Sequence, residues 1–462
     1  MRILGFLPSI PLNILWRAFL GPLVLAFLSL AALIFYQHQA VTITLDPDRT
    51  FQTFRAWEAT LETPPGLTPK PFRDKVYQSL IRDVGITRLR LEVYAGAEGR
   101  NGIALRDYYA GKTDMKGWRP WRYTTVNDDA DPFHINPAGF DFFDLDTRIE
   151  LGVQPMLRAA AAQGKTLDIL LTYVAFTDQN KGAPYLHIEP DEYAEFVLAT
   201  YQHLKDKYAL TPGSFEPLLE PDLAGRWTPE SFGKALGAAV KRLAEHGFHP
   251  RIVTPSVSNI FQADDWLEGI ANTRAAQEAI SEISYHRYYG GPERVLTDIA
   301  KRAARIGAET SMLEYWFGKA THDLLYEDLT IANISAWQGR SDYTYHIIEK
   351  DGNFALAPDI RLNRLYMQAI RPGATRIAAD GGRKNRVRAT AFQTPEGQIN
   401  LILDSLKGGR ALIRNLPPGP YLMDEVYVGL PDRPQSTIVV PTSGAVTLSM
   451  SAEGVKTLRR AP

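Results

Sequence analysis

The sequence has no cysteine. That excludes a disulfide framework, a thiol nucleophile and a cysteine-ligated metal. An excess of one charge sign is missing too: 51 basic residues stand against 52 acidic ones, for a formal net charge of -1. Such a balance gives no electrostatic footing for nucleic acid as a partner and suits an uncharged substrate. There is no G-x-G-x-x-G turn, no P-loop and no Gly-x-Ser-x-Gly elbow, so nucleotide-binding and serine-hydrolase readings lack their usual marks. His187-Ile188-Glu189 and His246-Gly247-Phe248-His249 lack a third ligand, so neither a catalytic metal nor a cofactor is expected. Internal repeats and low-complexity tracts are also missing.

What remains is a globular composition, 45% apolar and 22% charged, over 462 residues. That length predicts two folded units. The 21 Tyr and 8 Trp are numerous enough to supply flat apolar platforms for sugar rings as well as a core. Ala18–Tyr36 is an uncharged run whose helix would span roughly 28 Å, about one hydrocarbon core. Arg2 and Arg17 precede it with no acidic residue between them, which predicts a cytoplasmic N-terminus. The segment therefore reads as an uncleaved signal anchor in the inner membrane, single-pass, with the rest of the chain periplasmic. The rival is a cleaved signal peptide, whose apolar core is usually shorter and whose small-x-small site is not found after Phe35.

Residues 1–40 are thus assigned to the anchor. From about 53 to 360, short apolar strands alternate with amphipathic helices such as Asp191–Tyr208 and Pro229–His246. The strands are Gln52–Glu58, Ile86–Val93, Thr166–Tyr173, Phe215–Glu220, Arg251–Ser256, Ile283–Tyr288, Ala308–Tyr315 and Ile331–Trp337. Eight strand-helix units predict a (β/α)8 TIM barrel, with an open doubly wound sheet as the rival. Residues 361–462 switch to short alternating segments divided by Pro/Gly turns such as Pro417–Pro420. They predict an antiparallel β-sandwich that residues 41–52, including the strand Val41–Leu45, join. Ala95–Phe140 breaks the rhythm as a long insertion after strand 2. It holds Tyr108, Tyr109, Trp118, Trp121 and Tyr123, too aromatic for disorder, and should overhang the barrel's active face as one wall of a substrate groove. Trp118 and Trp121 are the candidate glycan contacts there.

Barrel enzymes carry their chemistry at strand C-terminal ends. Glu220 closes the fourth strand, with Pro221 directly after it, and Glu314 lies at the end of the seventh. Two carboxyl groups so placed meet the requirement of glycoside hydrolysis, in which one protonates the leaving oxygen and the other attacks the anomeric carbon or activates water.

Four short segments resemble glycoside hydrolase family 30, which lies in a larger clan of barrels with catalytic glutamates on strands 4 and 7. They are Phe51–Trp57 (FQTFRAW), Glu220-Pro221-Asp222 with Trp227-Thr228-Pro229-Glu230, Leu313-Glu314-Tyr315, and Arg371-Pro372-Gly373-Ala374 with Arg376-Ile377. The resemblance runs from about residue 41 to the end. It implies Glu220 as general acid/base and Glu314 as nucleophile. Arg90 is the candidate cation that keeps Glu314 ionised. His286 and Tyr288 match a His-x-Tyr of the family; Tyr288 is expected to donate to Glu314 and His286 to line a sugar subsite. Trp337 is a candidate sugar platform at the end of strand 8. The chain departs from the family in two places: Leu219 stands where an Asn binds the sugar 2-hydroxyl, and Arg55-Ala56-Trp57 replaces a Gly-Phe-Gly turn. The reading is a retaining β-glycosidase acting on a poly- or oligosaccharide outside the cytoplasmic membrane. The alternatives are a catalytically impaired barrel that binds polysaccharide in envelope assembly, and a hydrolase or transglycosylase of another family in the clan.

Overall fold

The computed structural model describes residues 39–61, 69–180, 182–316, 320–338, 341–348 and 354–461. The expected anchor Ala18–Tyr36 lies outside them. Among the described residues no helix is long and apolar enough to cross a membrane.

Strand β1 (Val41–Thr53) precedes the barrel. The barrel strands are β2 (Ala56–Thr60), β3 (Arg88–Tyr94), β4 (Asp168–Val174), β5 (Ser214–Glu216), β6 (Arg251–Val257), β7 (Ile280–His286), β8 (Glu309–Glu314) and β9 (Ala336–Trp337). They pair in that order, all parallel, and β9 pairs with β2 to close the ring. Closure excludes the doubly wound alternative. The expected first strand is divided in the structure, with Gln52 and Thr53 in β1 and the barrel strand starting at Ala56.

Strand β3 shows how the sequence builds the bore. Residues two apart share a face. Leu89, Leu91 and Val93 join the apolar cluster that seats the helices. Arg88 and Arg90, on the other face, enter the bore and meet glutamates from other strands. Arg88 bonds Glu58 of β2 and, at 3.1 Å, Glu282 of β7. Arg90 bonds Glu216 of β5 at 2.7 Å and Glu314 of β8 at 2.6 Å. Charges this deeply buried persist only with such partners. The helices Pro190–Tyr208 and Pro229–Glu245 lie where their apolar periodicity places them, the second capped by the Thr228 hydroxyl on the Ser231 N–H.

The segment after β3 returns to the barrel only at the helix Phe143–Arg148. It folds on itself through short helices (Asn101–Tyr109, Met115–Trp118) and isolated bridges from Glu98 to Phe140 and from Gly99 to Thr125. Gly96 permits its closest approach, because a Cβ there would lie 1.9 Å from the Trp121 carbonyl oxygen. Its base is tied to the barrel by buried Glu98, whose Oε2 is 2.6 Å from His187 Nε2.

After β9 a small hairpin of β10 (His346–Ile348) and β11 (Phe354–Leu356) leads to the helix Pro358–Ala369. Its residues Ile360, Leu365 and Met367 join an apolar cluster that holds both barrel residues and Phe392, Ile402, Val426 and Val455 of the second unit, so this helix lies at the seam of the two. The second unit contains β12 (Thr375–Asp380), β13 (Arg388–Gln393), β14 (Ile399–Ser405), β15 (Gly409–Arg414), β16 (Gly419–Tyr427), β17 (Ser436–Val440), β18 (Val446–Met450) and β19 (Gly454–Arg460). With β1 these form one sheet, ordered β17-β16-β19-β14-β13-β12-β1-β15-β18. All nine strands send residues into one apolar core, so the sheet folds over on itself. The pairing is antiparallel as expected except between β1 and β15, which run parallel.

Candidate active site

A cavity of about 540 Å³ opens at the C-terminal ends of the barrel strands. Glu220, Glu314 and Tyr288 line it, with Glu92 and Leu219 beside them. One oxygen from each of Glu220 and Glu314 and a ring nitrogen of His286 lie within 4.8 Å of one another.

Glu314 is the last residue of β8. Its two carboxylate oxygens receive different donors: Arg90 Nη1 at 2.6 Å on Oε2, and the Tyr288 hydroxyl at 2.7 Å on Oε1. Glu220 is held differently, and here the structure corrects the expected strand end. Strand β5 stops at Glu216, because Pro217 follows and cannot donate to a ladder. Glu220 sits four residues further on in a turn, at φ 45°, in the left-handed region that costs a non-glycine residue on the order of 1–3 kcal/mol. The turn is pinned from below by Asp222, whose carboxylate accepts from Ser258 N–H at 2.8 Å, Ser258 Oγ at 2.7 Å and Asn259 N–H at 2.9 Å.

The two carboxyls therefore differ electrostatically. Burial, then the charge of Asp222, push Glu220 up to about 8. Burial also raises Glu314, and the Glu220 charge adds to this; His286, Arg90 and the Tyr288 hydrogen bond work against it. When the pair holds one proton, the carboxylate with a guanidinium and a phenol on it keeps the charge. The proton then rests on Glu220. Burial holds His286 below its ordinary value.

Of the residues expected from sequence, Glu220, Glu314, Arg90, His286 and Tyr288 meet here. His286 is fully buried, with Nδ1 2.8 Å from Glu220 Oε1; it touches the carboxyl and does not line the cavity. Trp337 is also fully buried, against Trp57 in the barrel core. Its strand pairs it with Met312, two residues before Glu314, so it lies a layer below the cavity and is no sugar platform. Trp118 is 8% exposed, stacked on Tyr108, with Nε1 donating to Asn101 Oδ1 at 2.9 Å. Trp121 lies under the Arg100 guanidinium. Neither tryptophan lines the cavity; the insertion contributes Arg119, Arg122 and Tyr123 instead.

Sequence reasoning missed Glu92, Glu216 and Trp316. Glu92 and Trp316 could have been found, since each lies two residues from a chosen residue (Arg90, Glu314) and so leans to the same side. Glu216 was hidden by the assumption of an unbroken strand to Glu220.

The trio Glu220, His286 and Glu314 also has the spacing of a divalent-cation site. A cation there would face the Arg90 guanidinium already on Glu314, which disfavours it.

No model of a known protein family and no curated protein matches the chain in sequence. Solved structures match its fold over nearly its whole length. The catalytic domain of the glycoside hydrolase family 30 xylanase C from Talaromyces cellulolyticus superposes with a TM-score of 0.67 at 16% identity, covering 91% of this chain and 100% of that one. A family 30 endoxylanase from Clostridium papyrosolvens C71 gives 0.64 at 16%, covering 90% and 99%. An endo-β1,6-glucanase gives 0.59 at 14%, covering 91% and 95%. At these identities the likeness establishes the fold, a TIM barrel with an attached β unit.

Proposed function

We propose that this chain is a retaining glycoside hydrolase acting on β-linked poly- or oligosaccharides, with Glu314 as nucleophile and Glu220 as general acid/base. The observation that carries it is the pair itself: two buried carboxyls facing one cavity, oxygens within 4.8 Å, one beside an imidazole and without an ion-paired arginine, the other paired with Arg90. An inverting enzyme needs about 6.5–9.5 Å between its carboxyl groups to hold the attacking water, whereas a retaining one brings them to about 5 Å. Glu314 attacks the anomeric carbon while Glu220 gives its proton to the departing oxygen, leaving a glycosyl ester on Glu314. Glu220, now a carboxylate, takes a proton from water, which attacks the same carbon and frees Glu314. Two inversions give net retention. Tyr288 and Arg90 hold Glu314 aimed and charged before the attack. The solved neighbours, titled xylanases and a β1,6-glucanase, support the reaction class and differ among themselves in substrate. The test is hydrolysis of a panel of aryl β-glycosides by the wild type and by Glu314→Ala, with and without azide. Turnover that survives Glu314→Ala without azide overturns the assignment.

The second reading is a barrel that binds glycan and has lost turnover. It is favoured by Leu219, which packs on Tyr94, Tyr123 and Val174 where an amide would otherwise meet the sugar. Failure of every glycoside to turn over, with binding retained, would select it.

The placement outside the membrane rests on the sequence of Ala18–Tyr36. Protease added to spheroplasts should cleave the barrel; protection of the barrel overturns the topology.

A further inference from the structure

The wall of the cavity built by the insertion carries a guanidinium held mainly among aromatic rings. The Arg122 guanidinium lies over the Tyr94 ring, 4.1 Å from its centroid, and 5.3 Å from the rings of Trp118 and Tyr123. Its Nε is buried without a hydrogen-bond partner. Among the described residues no carboxylate forms an ion pair with it. Arg119, exposed and three residues earlier, lines the same cavity and has no ion pair among them either. The facing carboxylate, Glu92 on β3, is engaged elsewhere: its Oε2 accepts from the Tyr94 hydroxyl at 2.9 Å and faces Arg148 at 4.0 Å. Burial works against the Arg122 charge, yet the surrounding Tyr94, Tyr123, Glu92 and Asp144 hold it above its ordinary value; with no ion pair at contact distance among the described residues, its N–H donors stay open to an anion.

Next to this charge the cavity is apolar. Leu219 and Val174 cluster with Tyr94 and Tyr123, and Phe176 packs against them. The amide that lines the cavity, Gln179, comes from the segment after β4 and not from the insertion. The charged recognition that the insertion offers the cavity is that of a guanidinium, which matches planar or tetrahedral oxyanions through paired N–H donors. The near-zero net charge of the whole chain conceals this local bias.

We propose that the sugar unit bound beside Glu220 and Glu314 carries an anionic group, a carboxylate or a sulfate, and that Arg122, with Arg119 at the rim, binds it. The proposal rests on the glycan-site reading of this cavity. Glu92 repels an anion on the strand side and so confines it to the insertion side.

The test is binding to the full chain of methyl β-glycosides in the gluco, galacto and manno configurations, each supplied neutral, as the uronic acid and as the 6-sulfate. At least one anionic member should bind roughly ten- to a hundredfold tighter than its neutral counterpart, the range of a charged hydrogen bond. The uronate and sulfate arms distinguish the two sources of charge. Raising salt on the wild type should erode that preference, which tests the claim without any substitution. Arg122→Gln should collapse the preference toward unity, and Arg122→Lys should retain part of it. Neutral members binding as well as anionic ones in every configuration overturns the proposal, as does no binding by any anionic member, or a preference that Arg122→Gln leaves intact. Glu314→Gln run in parallel separates the two claims. If it binds the anionic sugar and turns over nothing, both stand; if it still hydrolyses, the catalytic assignment falls while anion recognition survives.

Discussion

Glu220 and Glu314 are the same side chain in unequal surroundings, and that inequality should be visible in pH. The proposed reaction needs Glu220 protonated and Glu314 ionised, so kcat/KM should fall as pH rises through about 8, where Glu220 gives up its proton. A pH profile checks this, and the alkaline limb should vanish in Glu220→Gln. Stability follows the same proton. The folded value of Glu220 is raised above its ordinary 4.5, so the folded chain holds a proton that the unfolded chain releases. That contribution is complete below about pH 4.5 and is lost as pH rises through about 8. Glu220→Gln should therefore be more stable than the wild type at pH 9, by roughly 1–3 kcal/mol, and nearly equal to it at pH 4. Equal melting temperatures at both pH values would contradict the burial argument. Tyr288→Phe removes one hydrogen bond from an ionised carboxylate and should cost about ten- to a hundredfold in kcat/KM with little change in fold. Chelation should leave activity unchanged; its loss on chelation would reassign Glu220, His286 and Glu314 to a metal.

Among the elements, the insertion after β3 is positioned by its own packing. Trp118 stacks on Tyr108 and bonds Asn101, so Trp118→Ala should open this segment to limited proteolysis while the barrel's melting transition moves little. An unchanged cleavage pattern would return Trp118 to a role in the groove. The aromatic content of 95–140 announced an ordered insertion, but nothing local told which rings face inward; Arg119 and Arg122 reached the cavity and the two tryptophans did not. Barrel strands were legible because period-2 alternation and strand spacing are local properties. Where they misled, a neighbour intervened. Pro217 ended β5 early and lifted Glu220 into a strained turn. In β9 only Ala336 and Trp337 pair, so Trp337 ended a layer lower than a full-length strand would have put it. Arg90 and Tyr288 were found because strand ends and the His-x-Tyr pattern fix them, whereas the bond from buried His286 to Glu220 depends on that turn.

At the scale of the whole molecule, the chain enters the β unit through β1, builds the barrel, and returns. The two units share buried polar contacts: His322 of the barrel side bonds Asp404 of β14 at 2.7 Å, and Tyr366 donates to the same carboxylate at 2.8 Å. The Asp404 hydrogen bond and charge outweigh burial and raise His322 above its ordinary value. Its contribution is complete below the unfolded histidine value of about 6.5 and is lost as pH rises through the folded one. His322→Gln should lower the melting temperature most near pH 5 and least near pH 9; the reverse order would contradict the assigned pairing. The account as a whole stands on a covalent intermediate at Glu314. The most direct measurement is mass spectrometry of peptides from protein incubated with 2-deoxy-2-fluoro β-glycosides, chosen in the configuration that the chain hydrolyses. The account predicts one glycosyl adduct, on the peptide containing Glu314, absent from Glu314→Gln. Hydrolysis that proceeds with inverted product and no adduct, or an adduct on another carboxylate, would contradict it.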